Sequence, residues 1–496
     1  MRRTLLAGLI WLLLCAPCFA QTLGTITGEV KDSTGAVIPG ATVTVVNKAT
    51  NATRTTVTNE VGLFDFPALP PGEYTVKSEL EGFKTGSRDL ELQVQQTARV
   101  NFTLELGTIS EMATVTGVSP LVETSNATIG TVIENRRIVE LPLNGRNYLQ
   151  LVALSPNVSA DFADGGQSGT RQGGSRSTQQ LSISGQRREF NYYTLDGVDN
   201  TDVNFNTYIF LPSVDALEEF KVQTGVYSAE FGREASQVNV VTKSGTNKLH
   251  GTVFEFHRDD ALDARPYAFT ASQAAAPKAP FKWDQYGYTA GGPVWRNKLF
   301  FMSNWEGYRD RKQSQTLFSV PSTAMRNGDF SELLGNLGAV NAQTGQPLRM
   351  IVDPTQCTVV GATRTCAPFA GNRIPSTRLN AISKKLLEFY PEPNTGIAGL
   401  QNNYLSLQDR VIDKSQYTQR MDFVQSSASS WMGRYSYGKE NQVEPALKLN
   451  GTKLDTRVHQ VAVGNTWTLS STGTTSWAPF SLGCTSGSRN SPRISL

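Results

Sequence analysis

The sequence of 496 residues has only three histidines, and it lacks the motifs on which most enzyme active sites depend. His250, His257 and His459 stand apart from any serine or cysteine motif, so no nucleophile has an obvious partner base. No phosphate-binding loop of the G-x-x-x-x-G-K-S/T kind is present either. The sequence therefore argues against an enzyme, and it predicts no catalytic residue and no cofactor.

Charge is also sparse. Charged residues amount to 18% of the chain, whereas an average soluble domain has roughly 25%. The net charge is +3, with no clustered basic stripe, which argues against nucleic acid as a partner. Glycine, threonine, serine and asparagine alternate instead with aromatic and β-branched residues, and this composition favours turn-rich β structure.

Long apolar runs are missing after residue 20, so the sequence predicts no transmembrane helix. Before that point, Arg2 and Arg3 precede a short apolar stretch over residues 5–14, and Ala20 offers a small residue for cleavage. That order is typical of a secretory signal peptide. Residues 1–20 are therefore predicted to be a signal peptide, which makes the chain an exported protein.

Cysteine is scarce, and only Cys357 and Cys366 lie close together outside the predicted signal peptide. In an exported protein such a pair predicts a local disulfide. A zinc site is not expected, because the histidines are distant from the pair in sequence.

Residues 21–106 are predicted to form a small β-sandwich. Short alternating segments at 24–30, 41–46, 74–77 and 98–104 are separated by turn signals such as Pro39-Gly40. The pattern G-x-V-x-D-x-x-G from Gly28, continued by Ile38-Pro39-Gly40-Ala41 and Leu69-Pro70-Pro71-Gly72, resembles the carboxypeptidase regulatory-like domain. The zone has no histidine, so a zinc peptidase is excluded and a binding or spacer role is predicted.

Three ordered blocks lie within residues 107–247, at 141–156, 184–200 and 212–246. Together they resemble the plug domain of TonB-dependent receptors, most closely the Oar-like branch, in which a regulatory-like domain precedes the plug. Their candidate site residues are Asn144, Gly145, Arg146, Asn147, Asp196, Gly197, Asp199, Asn200, Glu230, Phe231 and Gly232.

The plug zone also holds two groups of charged residues that allow more than one interpretation. Asp196, Asp199, Asn200 and Asp202 offer oxygen ligands for Ca²⁺, but the resemblance implies a plug turn capped by its own side chains. We therefore predict no metal site. Arg233, Glu230 and Lys243 either pair the plug with a barrel wall or face solvent, and the sequence leaves both readings open.

A short segment between sandwich and plug resembles the box that pairs with TonB, the energy-transducing periplasmic protein. It comprises Glu111, Met112, Ala113, Thr114, Val115 and Thr116. Such a segment has to be extended, with backbone groups available for strand addition. The alternative is a linker strand without a partner.

Residues 248–470 show the alternation of transmembrane β-strands, which need about 9–11 residues each. Six strands are predicted at 249–257, 281–291, 298–308, 415–425, 430–438 and 458–469. The connections alternate between long and short, as the outer and periplasmic links of outer-membrane barrels do. The longest connection, 309–414, again resembles the Oar-like family, through 321–331 and 369–375.

The resemblance implies a barrel of 22 strands, and six strands cannot close one. The predicted fold is therefore mainly β: an N-terminal β-sandwich, an α/β plug and the first strands of an incomplete transmembrane β-barrel. Residues 471–496 lose the alternation and are expected to be an irregular tail, either frameshifted or naturally disordered.

The predicted function is that of a TonB-dependent outer-membrane receptor that imports a small extracellular ligand by plug rearrangement. Its partners would be TonB and outer-membrane lipid, and its ligand a siderophore, a glycan or a peptide. One alternative is a non-transporting structural or adhesion protein that displays loop 309–414. Another is a secreted β-rich binding protein.

Overall fold

The computed structural model describes most of the chain after the predicted signal peptide. The described residues are 22–107, 112–116, 128–162, 179–187, 190–202, 207–225, 227, 236–265, 267, 278–336, 350–361, 363–395, 401–444, 452–470, 473–477 and 482–486. The signal peptide 1–20, Glu111 and the block 230–233 lie outside these residues.

The N-terminal zone is a β-sandwich, because alternate residues of its strands face inward. Its strands are β1 (Gly24–Asp32), β2 (Thr42–Asn47), β3 (Thr53–Val57), β4 (Leu63–Leu69), β5 (Gly72–Glu79), β6 (Thr85–Leu92), β7 (Thr97–Arg99), β8 (Phe102–Leu104) and β9 (Met112–Thr116). One sheet joins β1 to β4, β7 and β8, and the other has the order β3-β2-β5-β6-β9. Ile26, Val43, Phe64, Val76 and Phe102 fill the core between the sheets.

The plug is built around a mixed five-stranded sheet with the order β10-β17-β18-β13-β14. Its elements are β10 (Gly130–Glu134), α1 (Asn135–Glu140), β11 (Val158–Phe162), β12 (Gln179–Ile183), β13 (Asn191–Leu195), β14 (Val198–Asp199), β15 (Thr201–Asp202), β16 (Thr207–Tyr208), β17 (Leu217–Gln223) and β18 (Ser236–Thr242). The central strands β17 and β18 are buried on both faces and read as nearly continuous buried runs. Tyr148, Phe220 and Val240 lie in the core.

The third zone is an eight-stranded antiparallel sheet. Its strands are β19 (His250–Asp259), β20 (Phe281–Trp295), β21 (Leu299–Phe318), β24 (Tyr404–Val424), β25 (Ser429–Glu444), β26 (Thr452–Ser470), β27 (Gly473–Trp477) and β28 (Leu482–Ser486). In the part of the chain that the structure describes, β19 and β28 do not pair, so the sheet is open. No helix among the described residues is long and apolar enough to cross a membrane.

All six predicted barrel strands are present, but most of them are longer than predicted at the loop end. Strand β24 begins at Tyr404 and pairs with β21 over its whole length. These polar extensions do not alternate with apolar residues, so periodicity could not reveal them. Two further strands, β27 and β28, form in the tail that was expected to be irregular. Both pair with β26, whose backbone groups would otherwise remain open at a sheet edge.

Successive side chains of the barrel strands point to opposite faces of the sheet, with polar side chains on one face and apolar side chains on the other. On β25, Arg434 is 2% exposed, whereas Trp431 and Tyr435 are 45% and 38% exposed. On β26, Ala462 is buried and Val463 is exposed. The polar face therefore meets the plug and the apolar, aromatic face points outward, which is the arrangement of a lipid-facing wall.

The long connection between β21 and β24 is itself folded. It contains α2 (Thr323–Arg326), β22 (Val352–Val360), β23 (Thr363–Pro368) and α3 (Ala381–Leu387). Cys357 and Cys366 face each other across β22 and β23 and are joined by a disulfide. Short 3₁₀ helices complete this connection and the rest of the described chain, at Asn144–Arg146, Tyr148–Leu154, Val214–Ala216, Asp260–Leu262, Ser331–Asn336, Ala370–Asn372 and Ser376–Arg378.

Asp353 holds the base of this hairpin. Its carboxylate accepts from the backbone N–H and the hydroxyl of Thr355 and is paired with Arg378. The hydrogen bond from Arg378 and those from Thr355 keep the pKa of Asp353 well below its usual range.

The Asp353→Asn variant is expected to loosen the hairpin, because it removes the charge that Arg378 neutralises. Trypsin should then cleave after Arg364 or Arg378 several-fold faster than in the unaltered chain, measured by mass spectrometry of the released peptides. Asp409→Asn, at an exposed position of β24, is the control. Equal cleavage rates in the two variants would contradict the role of Asp353.

Candidate functional site at the plug and barrel wall

Asp196 lies where the plug meets the barrel wall. It occupies the tight turn between β13 and β14, where Asp196 and Gly197 both adopt positive φ angles of 51° and 78°. Its carboxylate accepts from the Thr242 backbone N–H at 2.8 Å and from the Thr242 hydroxyl at 2.9 Å. It also pairs with Arg420 at 3.2 Å and with Arg434 at 2.7 Å. One plug carboxylate therefore bridges two wall strands, β24 and β25.

The two wall arginines are themselves supported. The Arg434 guanidinium donates to Ser436 Oγ at 2.6 Å, to Gln460 Oε1 at 3.0 Å and to the carbonyl of Leu195 in the plug. Arg420 is paired with Asp422 on its own strand. The cluster thus contains two positive and two negative charges, and this balance makes its burial possible.

A second ionic contact lies farther toward the loop end of the wall. Arg146 of the plug is hydrogen-bonded to Asp215, and its guanidinium stacks on Phe254 at 4.4 Å and Phe256 at 4.8 Å from the ring centroids. The two phenylalanines belong to β19. Because both rings contact the Arg146 guanidinium, their side chains lie on the side of β19 that faces the plug. The predicted motif residue Arg146 is therefore a plug–wall contact.

Glu306 of β21 is a further wall residue close to this contact. It is buried, and its carboxylate accepts from Ser213 Oγ at 2.6 Å, Gln285 Nε2 at 2.8 Å and Gln416 Nε2 at 3.2 Å. Arg146 Nε lies 4.0 Å from the same carboxylate. Glu306 of β21 therefore links Ser213 of the plug to the two neighbouring wall strands, β20 through Gln285 and β24 through Gln416.

A cleft of about 130 Å³ opens beside Glu306, between the plug segment 208–212 and the wall. Its charged and polar lining residues include Arg146, Gln285, Glu306, Lys414, Lys439, Glu440 and Thr456. Gln285 Oε1 and Thr456 Oγ1 are buried and have no hydrogen-bond partner among the described residues. The cleft is smaller than the roughly 300–1,000 Å³ of a typical ligand pocket, so it fits one polar group of a larger molecule.

The regulatory-like domain contacts the plug through the turn after β6. The backbone N–H of Val94 donates to Glu219, and Gln93 Nε2 donates to Glu134 at 3.2 Å. Lys221 Nζ donates to the carbonyl of Gln95 at 3.4 Å. We call residues 93–96 the plug-contact turn.

Glu219 is the most buried acidic group of this contact. Burial above all, together with the neighbouring carboxylates of Glu218, Glu91 and Glu134, raises its pKa to about 8, against the lowering effect of the Val94 hydrogen bond. Glu219 therefore holds its proton at a pH where an ordinary glutamate has lost it.

The same domain touches the barrel rim. Asn297, in the turn between β20 and β21, accepts from Asn51 Nδ2 at 3.0 Å and from Asn247 Nδ2 at 2.8 Å. The backbone N–H of Asn247 donates to the carbonyl of Ala49 at 2.9 Å. These contacts lie on the exposed side of the interface.

The segment that resembles the TonB box forms strand β9 over residues 112–116. It pairs in parallel with β6, with Thr85 opposite Met112 and Asp89 opposite Thr116. One edge of the segment is therefore occupied by the regulatory-like domain, an arrangement that the sequence did not predict.

The remaining predicted plug residues shape turns. Asn147 caps the 3₁₀ helix that follows it, and Gly145 supplies a φ of 67°. Asp199 accepts from the backbone N–H of Thr201, and Asn200 both donates to and accepts from the backbone of Phe210. Asn144 exchanges two hydrogen bonds with Gln150. No group of three or more potential metal ligands occurs among the described residues.

Sequence analysis missed Glu219, Glu306, Arg420 and Arg434. Three of these lie on barrel strands at positions that alternate with outward aromatic residues, so a charged residue on the inward face was the available signal. Lys243, which was weighed as a plug–wall charge, lies near Glu218 and Asp215, and burial lowers its pKa.

The chain matches two family models: an outer membrane beta barrel domain over residues 241–480 and a carboxypeptidase regulatory-like domain over residues 25–105. It is 28% identical over 306 residues to the TonB-dependent transporter Oar of Myxococcus xanthus, a match that covers 59% of this chain and 27% of that protein. The chain therefore spans about a quarter of the length of this curated relative.

Solved structures with similar folds include the outer membrane transporter YddB from Escherichia coli. It is 12% identical, with a TM-score of 0.42, and the match covers 69% of this chain and 37% of that one. The siderophore receptor PirA from Acinetobacter baumannii is 15% identical, with a TM-score of 0.29, over 69% of this chain and 48% of that one.

Proposed function

Since the chain is an Oar-like TonB-dependent receptor of the outer membrane, we propose that it imports a small extracellular ligand by rearranging its plug. The observation that carries the proposal is the bridge from Asp196 to Arg420 and Arg434. A barrel with a purely structural role would not require a separately folded plug that a few charge pairs hold against its wall. Such pairs break and re-form as a unit, which suits a closure that has to open.

The cleft beside Glu306 is the candidate site for one polar group of the ligand. It lies between plug and wall, so a bound group would touch both and change their contact. Lys414 and Glu440, 3.8 Å apart, supply both signs of charge there. This lining suits a siderophore, a glycan or a peptide with hydrogen-bonding groups.

The energy for opening is proposed to come from TonB, which would pair with the strand 112–116. The test is a strain that expresses the protein without residues 112–116. Cells with this deletion are expected to lose uptake of the labelled ligand while binding at the surface persists. The panel of probes comprises ferric siderophores, labelled oligosaccharides and labelled oligopeptides.

Thr114→Val is the matched control for this deletion, since valine favours a strand and keeps its backbone N–H. Uptake in this variant should stay close to that of the unaltered protein. Unimpaired uptake in the deletion strain would contradict TonB dependence.

A second candidate function is display without transport. It is favoured by the folded loop between β21 and β24, in which the disulfide and the Asp353–Arg378 pair hold a hairpin together. In that case removal of residues 350–378 would abolish adhesion of the cells, and no probe of the panel would be taken up by the unaltered protein.

A further inference from the structure

We propose that the cleft beside Glu306 binds the hydroxyl groups of a neutral glycan, and that Gln285 and Thr456 select this ligand by hydrogen bonding. The proposal rests on the proposed function, from which it takes the cleft as the ligand site. It narrows the ligand from the classes named there to one.

The cleft is bordered by one row of side chains on the inward face of the wall. The members of the row are register partners on five neighbouring strands: Gln285 on β20, Tyr308 on β21, Lys414 on β24, Glu440 on β25 and Thr456 on β26. All of them line the cleft. The row has an amide at one end, a hydroxyl at the other and a charged pair between them, so a ligand in the cleft meets these groups together.

The amide of Gln285 has a fixed orientation. Its Nε2 donates to the Glu306 carboxylate at 2.8 Å, and a carboxylate accepts hydrogen bonds but does not donate them. The oxygen and the nitrogen of the amide therefore cannot exchange places. Gln285 is only 1% exposed, yet its Oε1 has no hydrogen-bond partner among the described residues. A ligand in the cleft has to bring a donor to this oxygen.

Thr456 has the same need at the other end of the row. It is 8% exposed, and its hydroxyl has no hydrogen-bond partner among the described residues either. A buried polar group without a partner destabilises the fold, and native proteins contain few of them. Two such groups at one cleft indicate that a bound molecule completes their hydrogen bonds.

The charged pair between the two ends is also spaced for an inserted group. Lys414 Nζ and Glu440 Oε2 lie 3.8 Å apart, which exceeds hydrogen-bond distance. A hydroxyl between them would accept from the lysine and donate to the glutamate. The two charges cancel, so the row has no net charge.

A neutral glycan matches this row better than the other ligand classes do. Each sugar hydroxyl both donates and accepts, so adjacent hydroxyls can satisfy the Gln285 oxygen, the charged pair and the Thr456 hydroxyl. The iron-binding oxygens of a ferric siderophore are deprotonated and only accept, so they would leave Gln285 Oε1 unpaired. A peptide brings charged ends, and a row without net charge cannot compensate them when they are buried.

The test removes the Thr456 hydroxyl and keeps the shape of the side chain. Thr456→Val breaks no hydrogen bond among the described residues, so the melting temperature of the detergent-solubilised full chain should not fall. The labelled chain is applied to an array of neutral and acidic oligosaccharides, and is then titrated with the neutral oligosaccharide that gives the strongest signal. We expect Thr456→Val to weaken this binding about three- to tenfold, the usual effect of one hydrogen bond.

Thr466→Val is the matched control, because Thr466 lies on the same strand and does not line the cleft. Its affinity should stay within about twofold of that of the unaltered chain. Equal affinities of the two variants would overturn the proposal. An array signal that is absent, or confined to acidic oligosaccharides, would overturn it as well.

Gln285→Met provides a second and independent measurement. It removes Oε1, while Ser213 and Gln416 still donate to Glu306. We expect a loss of affinity at least as large as that of Thr456→Val. Unchanged affinity in this variant would exclude the Gln285 oxygen from the site.

Binding and import can fail separately. A neutral glycan that binds through Thr456 but is not taken up by cells would contradict the proposed import and leave the class of ligand intact. Uptake of a ferric siderophore or an oligopeptide, without binding of any neutral glycan, would overturn the class of ligand and leave import intact.

Discussion

The Asp196→Asn variant is expected to destabilise the plug by about 3–5 kcal/mol, the usual cost of leaving buried charges without their partner. Arg420 keeps Asp422, but Arg434 loses the only carboxylate with which it pairs among the described residues, while it remains fully buried. The turn between β13 and β14 should loosen, and the adjoining end of β18 at Thr242 should loosen with it. The measurement is hydrogen-exchange protection of β13 and β18 in the detergent-solubilised protein.

Two further variants make this prediction specific. Asp199→Asn is the matched control, because Asp199 lies in the same hairpin, on β14, and its carboxylate caps Thr201 within the plug. Asp196→Asn combined with Arg434→Met should recover part of the loss, since removing both partners of a buried pair costs less than removing one. A change in protection worth less than about 1 kcal/mol in the single variant would show that the bridge does not hold the plug.

The contact between the regulatory-like domain and the plug is expected to weaken as the pH rises from about 5 to about 8. Glu219 has a pKa of about 8 in the folded protein and an ordinary value of 4.5 when unfolded. Between these two values the folded protein binds the extra proton, so folding loses stability with rising pH. The loss stops above pH 8, where both states are deprotonated, and its total is on the order of 4 kcal/mol.

The groups that face Glu219 are Glu91 from the sandwich and Glu134 and Glu218 from the plug. The same contact includes Lys221. Protection factors of the Val94 amide and of residues 217–223, corrected for intrinsic exchange, are to be compared at pH 5 and pH 8.5. The Glu219→Gln variant, which keeps an acceptor without the charge, should be independent of pH in this range. Protection in the unaltered protein that is constant or rises with pH would contradict the prediction.

Much of the fold could be predicted because its strands obey simple alternation. The inward and outward faces of β25 and β26 follow directly from Arg434, Trp431 and Val463, since one face meets a polar plug and the other an apolar environment. The sandwich followed from alternating β-branched residues between turn signals. The ends of the strands were not predictable, because extensions such as residues 309–316 are polar throughout and carry no period.

The site was less predictable, because its contacts join residues that are distant in sequence. Asp196 was expected to cap a turn, and nothing in its neighbourhood shows that Arg420 and Arg434 lie opposite it. The pairing of β9 with β6 was also hidden, since a parallel pairing depends on register in three dimensions and not on local pattern. Arg146 was predicted as a plug residue from the motif, but its stacking on Phe254 and Phe256 depends on how the plug sits in the wall.

The rim contacts also have a consequence for the order of assembly. Arg54 of the regulatory-like domain donates to Thr468 of β26, and Asn51 donates to Asn297, so these bonds join the first domain of the chain to strands made hundreds of residues later. Contacts of such large sequence separation close late in folding. The domain is synthesised first, but the surface that it contacts exists only after the plug and the wall have folded. Its docking therefore follows the folding of the plug and the wall.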